Sequence, residues 1–190
     1  MQRLAMPEKI ETERLLLQRF RPEDAEEIFF TYASKPEATR FVSFPTHQTI
    51  YDTRQYLDYA TRAWNQDIDF SYSIRLRENQ KMIGSFGVVH ENGKVSFGYV
   101  LSPRHWGNGY ATEACKKLMA ILQANLTVFR IWTLVDCENV ASVRVLIKSG
   151  LVQEARLEKW IRFPNQNNQP KDCFVYILPT MPISPCYLPK

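Results

Sequence analysis

The sequence predicts an α+β domain in which an antiparallel meander feeds a long amphipathic helix. Apolar residues alternate at Phe70, Tyr72, Ile74 and Leu76, the pattern of a half-buried strand, and two further strands are expected over residues 82–89 and 95–101. Asn92-Gly93 between those two is the strongest short hairpin signal in the chain, so residues 70–101 read as three antiparallel strands. Past Pro103, the residues Ala111, Ala114, Cys115, Leu118 and Leu122 recur at helical spacing and define one apolar face of a helix starting near Tyr110.

The other elements follow in chain order. Residues 12–20, rich in leucine, make a first strand, and Pro22 with Glu23 and Asp24 opens a short helix to about Tyr32, with acids where the helix dipole favours them. Residues 39–47 form a loop carrying Phe41, Phe44 and Pro45, and residues 49–64 are helical, with Leu57, Ala60 and Trp64 on one side. After the long helix come a strand over 129–135 and a helix containing Val143, Leu146 and Ile147 that Gly150 terminates. Strands over 157–163 and 173–178, joined by a polar loop, complete a single domain over residues 1–178. The tail, residues 179–190, holds Pro179, Pro182, Pro185 and Pro189 and is expected to be an irregular extension.

A chain of 190 residues suits one sizeable domain, and 45% hydrophobic with 23% charged residues is enough to build a core. The net charge of +4 is dispersed and interleaved with acids, which argues against a nucleic-acid surface, where Lys and Arg would cluster. Cys115, Cys137, Cys173 and Cys186 show no metal-ligand spacing, His47, His90 and His105 are scattered, and no metal is expected. No apolar stretch has the length of a membrane span and residues 1–10 do not resemble a signal peptide, so no membrane partner and a cytoplasmic setting are expected.

The segment with chemical content is Arg104-His105-Trp106-Gly107-Asn108-Gly109, lying between a strand and a helix. Its glycines let the backbone approach a ligand without a Cβ in the way, and it empties onto helix N–H groups that lack intrahelical partners. The amides of Gly107, Asn108, Gly109, Tyr110, Ala111 and Thr112 are therefore suited to cradle a diphosphate. No Lys follows Gly109, which excludes a P-loop, and position 112 is Thr where a dinucleotide fingerprint needs a third glycine.

Together with Glu138-Asn139-Val140-Ala141-Ser142 and the downstream Lys148-Ser149-Gly150, this segment resembles the GNAT N-acetyltransferases. Residues 106–114 and 138–151, with the opening Thr12-Glu13-Arg14-Leu15 and Pro22-Glu23-Asp24-Ala25, are similar to the ribosomal-protein N-terminal (Rim-type) branch. The resemblance implies the GNAT fold: a mostly antiparallel mixed sheet of about seven strands, flanked by about four helices, with two splayed strands forming an acyl-CoA cleft. Acetyl-CoA is then the co-substrate. Arg104 and the turn would hold its diphosphate, while backbone near Val100, Leu101 and Ser102 would hold pantetheine and supply an N–H to the oxyanion. Asn139 would bond the cofactor arm, or simply cap the following helix. The family contains monomers and homodimers.

The chain departs from many relatives at two positions. Ser96 stands where the family often has an acid, and Leu146 where many members carry the tyrosine that protonates the leaving thiolate. Ser142 is the remaining candidate for general acid and cofactor contact. Glu91, His90, Glu138 and Glu158 are conceivable bases and none stands out. Phe41 and Phe44 are candidates for substrate contact. An α-amine of pKa about 7.8 is roughly 10–15% neutral at pH 7, against well below ~0.1% for a lysine near 10.4, so a protein N-terminus needs only a weak base. Two readings compete with acetylation of a protein N-terminal amine: a small-amine acetyltransferase for a polyamine, amino sugar or antibiotic, and a non-catalytic acyl-CoA-binding domain.

Overall fold

A computed structural model describes residues 4–179; the expected Pro-rich tail, apart from Pro179, lies outside the described residues. The strands are β1 (Lys9–Glu11), β2 (Leu15–Arg19), β3 (Asp69–Leu76), β4 (Met82–Glu91), β5 (Lys94–Leu101), β6 (Arg130–Asp136), β7 (Val152–Arg162) and β8 (Pro170–Ile177). They form one sheet in the order β1-β2-β3-β4-β5-β6-β8-β7. Every neighbouring pair is antiparallel except β5 with β6. One strand more than expected is present, because the segment before Thr12 folds back on β2 with Ile10 opposite Leu17.

The helices are α1 (Ala25–Ile28), α2 (Pro36–Thr39), α3 (Ile50–Asn65), α4 (Tyr110–Gln123) and α5 (Val140–Lys148). Thr49 caps α3 in a reciprocal box with Asp52, accounting for the start at Ile50. Gly150, at φ 89°, ends the run after α5 as its sequence position predicts. Asn92 and Gly93 have φ of 49° and 84°, the two positive values that a tight β4–β5 hairpin turn requires.

Helices cover the sheet on both sides. Ala114, Cys115, Leu118 and Leu122 of α4 join Phe70, Tyr72, Ile74, Phe86 and Val95 in the larger apolar cluster. Ile28, Tyr32, Leu57 and Ala60 join Met82 and Val100 in a second one. The half-buried reading of β3 is corrected by this arrangement: all eight of its residues are buried. Ser71, Ser73 and Arg75 alternate with the apolar residues, yet Ser71 meets Tyr56 of α3 and Arg75 meets Glu27 of α1 in place of water. Arg75 bonds Asp24 at 2.8 Å and Glu27 at 2.5 Å, so its burial is charge-compensated.

Candidate active site

The site begins where the sheet stops zipping. Strands β5 and β6 pair over only three residues, Lys94 with Arg130, Val95 with Ile131 and Ser96 with Trp132. Thr133 Oγ1 donates to Phe97 O at 2.7 Å as a last tie. Beyond it β5 continues with β4 alone, and β6 with β8 alone, opening a wedge inside the sheet.

The far arm of the wedge leads through a 3-10 turn, Pro103–His105, into the Gly-rich segment. Gly107 and Gly109 have φ of 78° and 79°, a left-handed conformation that side chains with a Cβ seldom adopt. A Cβ at Gly107 would meet nothing within 4 Å, and one at Gly109 only Arg14 at 3.6 Å, so the glycines serve the backbone path and face open space. Asn108 Nδ2 donates to the carbonyls of His105 and Trp106, closing the turn on itself. The first amide taken up by the helix is that of Glu113, bonded to Gly109 O at 3.0 Å. Among the described residues the amides of 107–112 have no backbone partner. Exposed Arg104 stands beside them. Open space, unengaged amides and a cation together fit a diphosphate.

Part of the backbone near Val100, Leu101 and Ser102 has partners within the chain. Ser102 N–H donates to Ile83 O at 2.8 Å, and Leu101 O accepts from the Trp106 indole at 2.9 Å. The first bond continues the pairing of β5 with β4; the second comes from the turn that follows β5.

Across the wedge, Tyr99 of β5 and Ser142 in the first turn of α5 share a hydroxyl–hydroxyl hydrogen bond of 2.9 Å. Burial pushes the Tyr99 phenol far above its ordinary range, aided by nearby Cys115 and opposed by the bond to Ser142. Tyr99 is therefore a permanent O–H. Alternation along β5 places it with Val95, Phe97 and Leu101, where it resembles any core aromatic. Only the fold shows that its tip reaches Ser142. Asn139 Oδ1 accepts from Ser142 N at 3.1 Å, so it does cap α5, and its Nδ2 takes no part in the cap.

The model of a GNAT acetyltransferase domain matches residues 14–152. The chain belongs to the GNAT acetyltransferases. It is 29% identical over 170 residues to the uncharacterized N-acetyltransferase YoaA of Bacillus subtilis, covering 88% of this chain and 94% of that protein. Its fold is similar to that of the microcin C7 self-immunity acetyltransferase MccE in complex with acetyl-CoA and AMP, with TM-score 0.81, 18% identity and coverage of 90% and 96%. It is equally similar in fold to RimL, the ribosomal L7/L12 α-N-protein acetyltransferase in complex with CoA, with TM-score 0.81, 16% identity and coverage of 90% and 97%.

In this GNAT acetyltransferase the four candidate bases are dispersed. His90 Nε2 accepts from Gly93 N at 3.0 Å and Glu91 pairs with Lys94, both at the hairpin beyond the zipped end of β5. Glu138 is bound to Lys171 at 2.8 Å and faces Arg40 at 3.5 Å, and those partners hold its carboxyl below the usual range. Glu158 is exposed on β7. The Cys137 thiol is raised, first by burial and then by Asp172 and Asp136, opposite to what a covalent acetyl carrier requires.

Phe41 lies under the Arg40 guanidinium at 4.8 Å. Phe44 stacks on Tyr56 at 6.1 Å between ring centroids and lies 5.6 Å from His47, and Phe44 and Tyr56 pack against the smaller cluster. Asn165, in the loop between β7 and β8, holds this segment in place. Its Nδ2 donates to Thr39 O and Phe44 O, and its Oδ1 accepts from the N–H and hydroxyl of Thr46. Sequence reading missed it, since a polar residue in an Asn- and Gln-rich loop resembles any turn residue.

Proposed function

We propose that this chain transfers the acetyl group of acetyl-CoA to a primary amine, with a protein N-terminal α-amine as the acceptor class. The observation that carries the reading is the internal wedge between β5 and β6 opening onto a left-handed Gly107–Gly109 turn with unengaged amides. The complexes of MccE with acetyl-CoA and of RimL with CoA support the same use of this fold. RimL, an α-N-protein acetyltransferase, supports the acceptor class.

Acetyl-CoA supplies a thioester, already activated toward amines. The amides of residues 107–112 with Arg104 hold its diphosphate, and the edge of β5 that β6 leaves unpaired holds the arm. Asn139 Nδ2 faces the arm from the start of α5. As the amine nitrogen bonds the acetyl carbon and the C–S bond breaks, sulfur keeps the electron pair and departs as a thiolate that accepts a hydrogen bond from the Ser142 hydroxyl, and the amine's proton passes to water. With Tyr99 as the donor of their shared hydrogen bond, the single hydrogen of Ser142 is left to point into the wedge. No fixed base is required for an α-amine, consistent with the pairing of Glu138 and Glu91 into salt bridges.

The test is an acceptor screen with thiol detection, set up with amino-terminal peptides, polyamines, amino sugars and aminoglycosides in parallel. Turnover confined to peptides with a free α-amine is expected. Turnover confined to a small amine would replace the acceptor class, and thiol release with none of them would remove the reading. Ser142→Ala is expected to lower kcat by roughly ten- to a hundredfold, the value of a hydrogen bond to a charged acceptor, and leave the Kd for CoA unchanged. Tyr99→Phe should show the same split with a smaller loss. An unaltered rate constant for Ser142→Ala would take both hydroxyls out of the mechanism.

A further inference from the structure

The motif Thr12-Glu13-Arg14-Leu15 has no part in the mechanism above, yet the fold brings it directly against the Gly-rich turn. Glu113, in the first turn of α4, accepts from Thr12 Oγ1 at 2.6 Å and from Arg14 N at 2.9 Å through one oxygen. Its other oxygen accepts from Arg14 Nε at 2.7 Å and lies 2.7 Å from Nη2. The third nitrogen, Nη1, donates to Asn108 O at 3.1 Å, between the two left-handed glycines. The guanidinium plane also lies 4.7 Å above the Tyr110 ring. Arg77 Nη1 donates to Thr12 O at 2.8 Å, bracing the motif from the turn after β3.

We propose that Arg14, gripped by Glu113, is a positioning residue that fixes the diphosphate seat by pinning the Asn108 carbonyl. The inference rests on the reading of residues 107–112 as that seat. Asn108 C=O and Gly109 N–H belong to one planar peptide unit and point in opposite directions. Holding the oxygen toward Arg14 therefore aims the Gly109 N–H the other way, into the open side of the turn. Without the pin, a peptide with a glycine on its C-terminal side is freer to rotate and present its oxygen to an anion. Glu113 orients the rigid fork of Arg14, a task lysine does not perform. Burial raises the Glu113 carboxyl, and the bonds from Thr12 and Arg14 outweigh it, so the group stays ionised and the grip intact at neutral pH.

The test compares CoA, titrated by calorimetry, with pantetheine, which lacks the diphosphate, titrated by NMR. Arg14→Ala is expected to weaken CoA by roughly ten- to a hundredfold and to leave pantetheine within about twofold. Glu113→Gln removes a negative charge near a diphosphate, so charge alone predicts tighter CoA binding; the pin predicts weaker binding. Arg14→Lys should behave like Arg14→Ala. Equal losses for both ligands with Arg14→Ala, unchanged CoA affinity, tighter binding with Glu113→Gln, or full affinity with lysine would each overturn the proposal. Gly109→Val separates this failure from that of the seat. If it weakens CoA selectively and Arg14→Ala does not, only the pin falls; if it fails to discriminate, the seat itself is misplaced.

Discussion

Gly109→Val is expected to raise the Kd for acetyl-CoA by roughly a hundredfold or more while leaving the fold intact. Gly109 caps α4 at φ 79°, where a Cβ costs about 1–2 kcal/mol and a branched one more. The turn is exposed, so the strain is relieved by rotating its peptides, not by unfolding the core. That rotation displaces amides of the seat, and two hydrogen bonds to a charged ligand lost at ~1.5 kcal/mol each already exceed two decades of affinity. Calorimetry measures the effect directly. Full affinity would show that the diphosphate is held elsewhere.

Asp24→Ala is expected to cost about 3 kcal/mol of stability in urea denaturation. Asp24 is 2% exposed; its Oδ1 accepts from Arg75 and its Oδ2 from Arg21 N. Removing it strands a guanidinium that is itself 7% exposed, with the half-exposed Glu27 and the Gln80 carbonyl as its other partners. The buried Arg75 Nε already lacks a bond, so little slack remains. Pairing Asp24→Ala with Arg75→Met should recover much of the loss, since an apolar pair of similar volume often replaces a buried ion pair at little cost. A loss below ~1 kcal/mol for the single variant would show that water reaches Arg75.

What was legible in the sequence was local. The β4–β5 hairpin sits in two adjacent residues, the apolar face of α4 in a repeat of 3.6, and the Gly-rich turn in two glycines placed between a strand and a helix. Each is decided by chain geometry within a few residues, and each stands in the structure where it was expected. What escaped depends on partners far along the chain. Strand β1 exists because β2 needs a neighbour, and β3 is fully buried because α1 and α3 cover the face that alternation alone assigns to water. Tyr99 and Ser142 lie 43 positions apart, and Thr12 and Glu113 lie 101 apart, so no periodicity connects them. Glu113 illustrates the limit well: it stands in the first turn of α4, and only the folded chain shows the arginine it grips.

Asn165 spends both hydrogens and its carbonyl oxygen on Thr39, Phe44 and Thr46, segments about 120 positions away. The two stretches it stitches are thereby inherited as one cassette. A graft that imports the 39–47 segment from a relative, without the stretch around Asn165, would leave two carbonyls and an amide without their counterpart. Chimeras meant to exchange selectivity among such proteins therefore have to carry both halves of the seam.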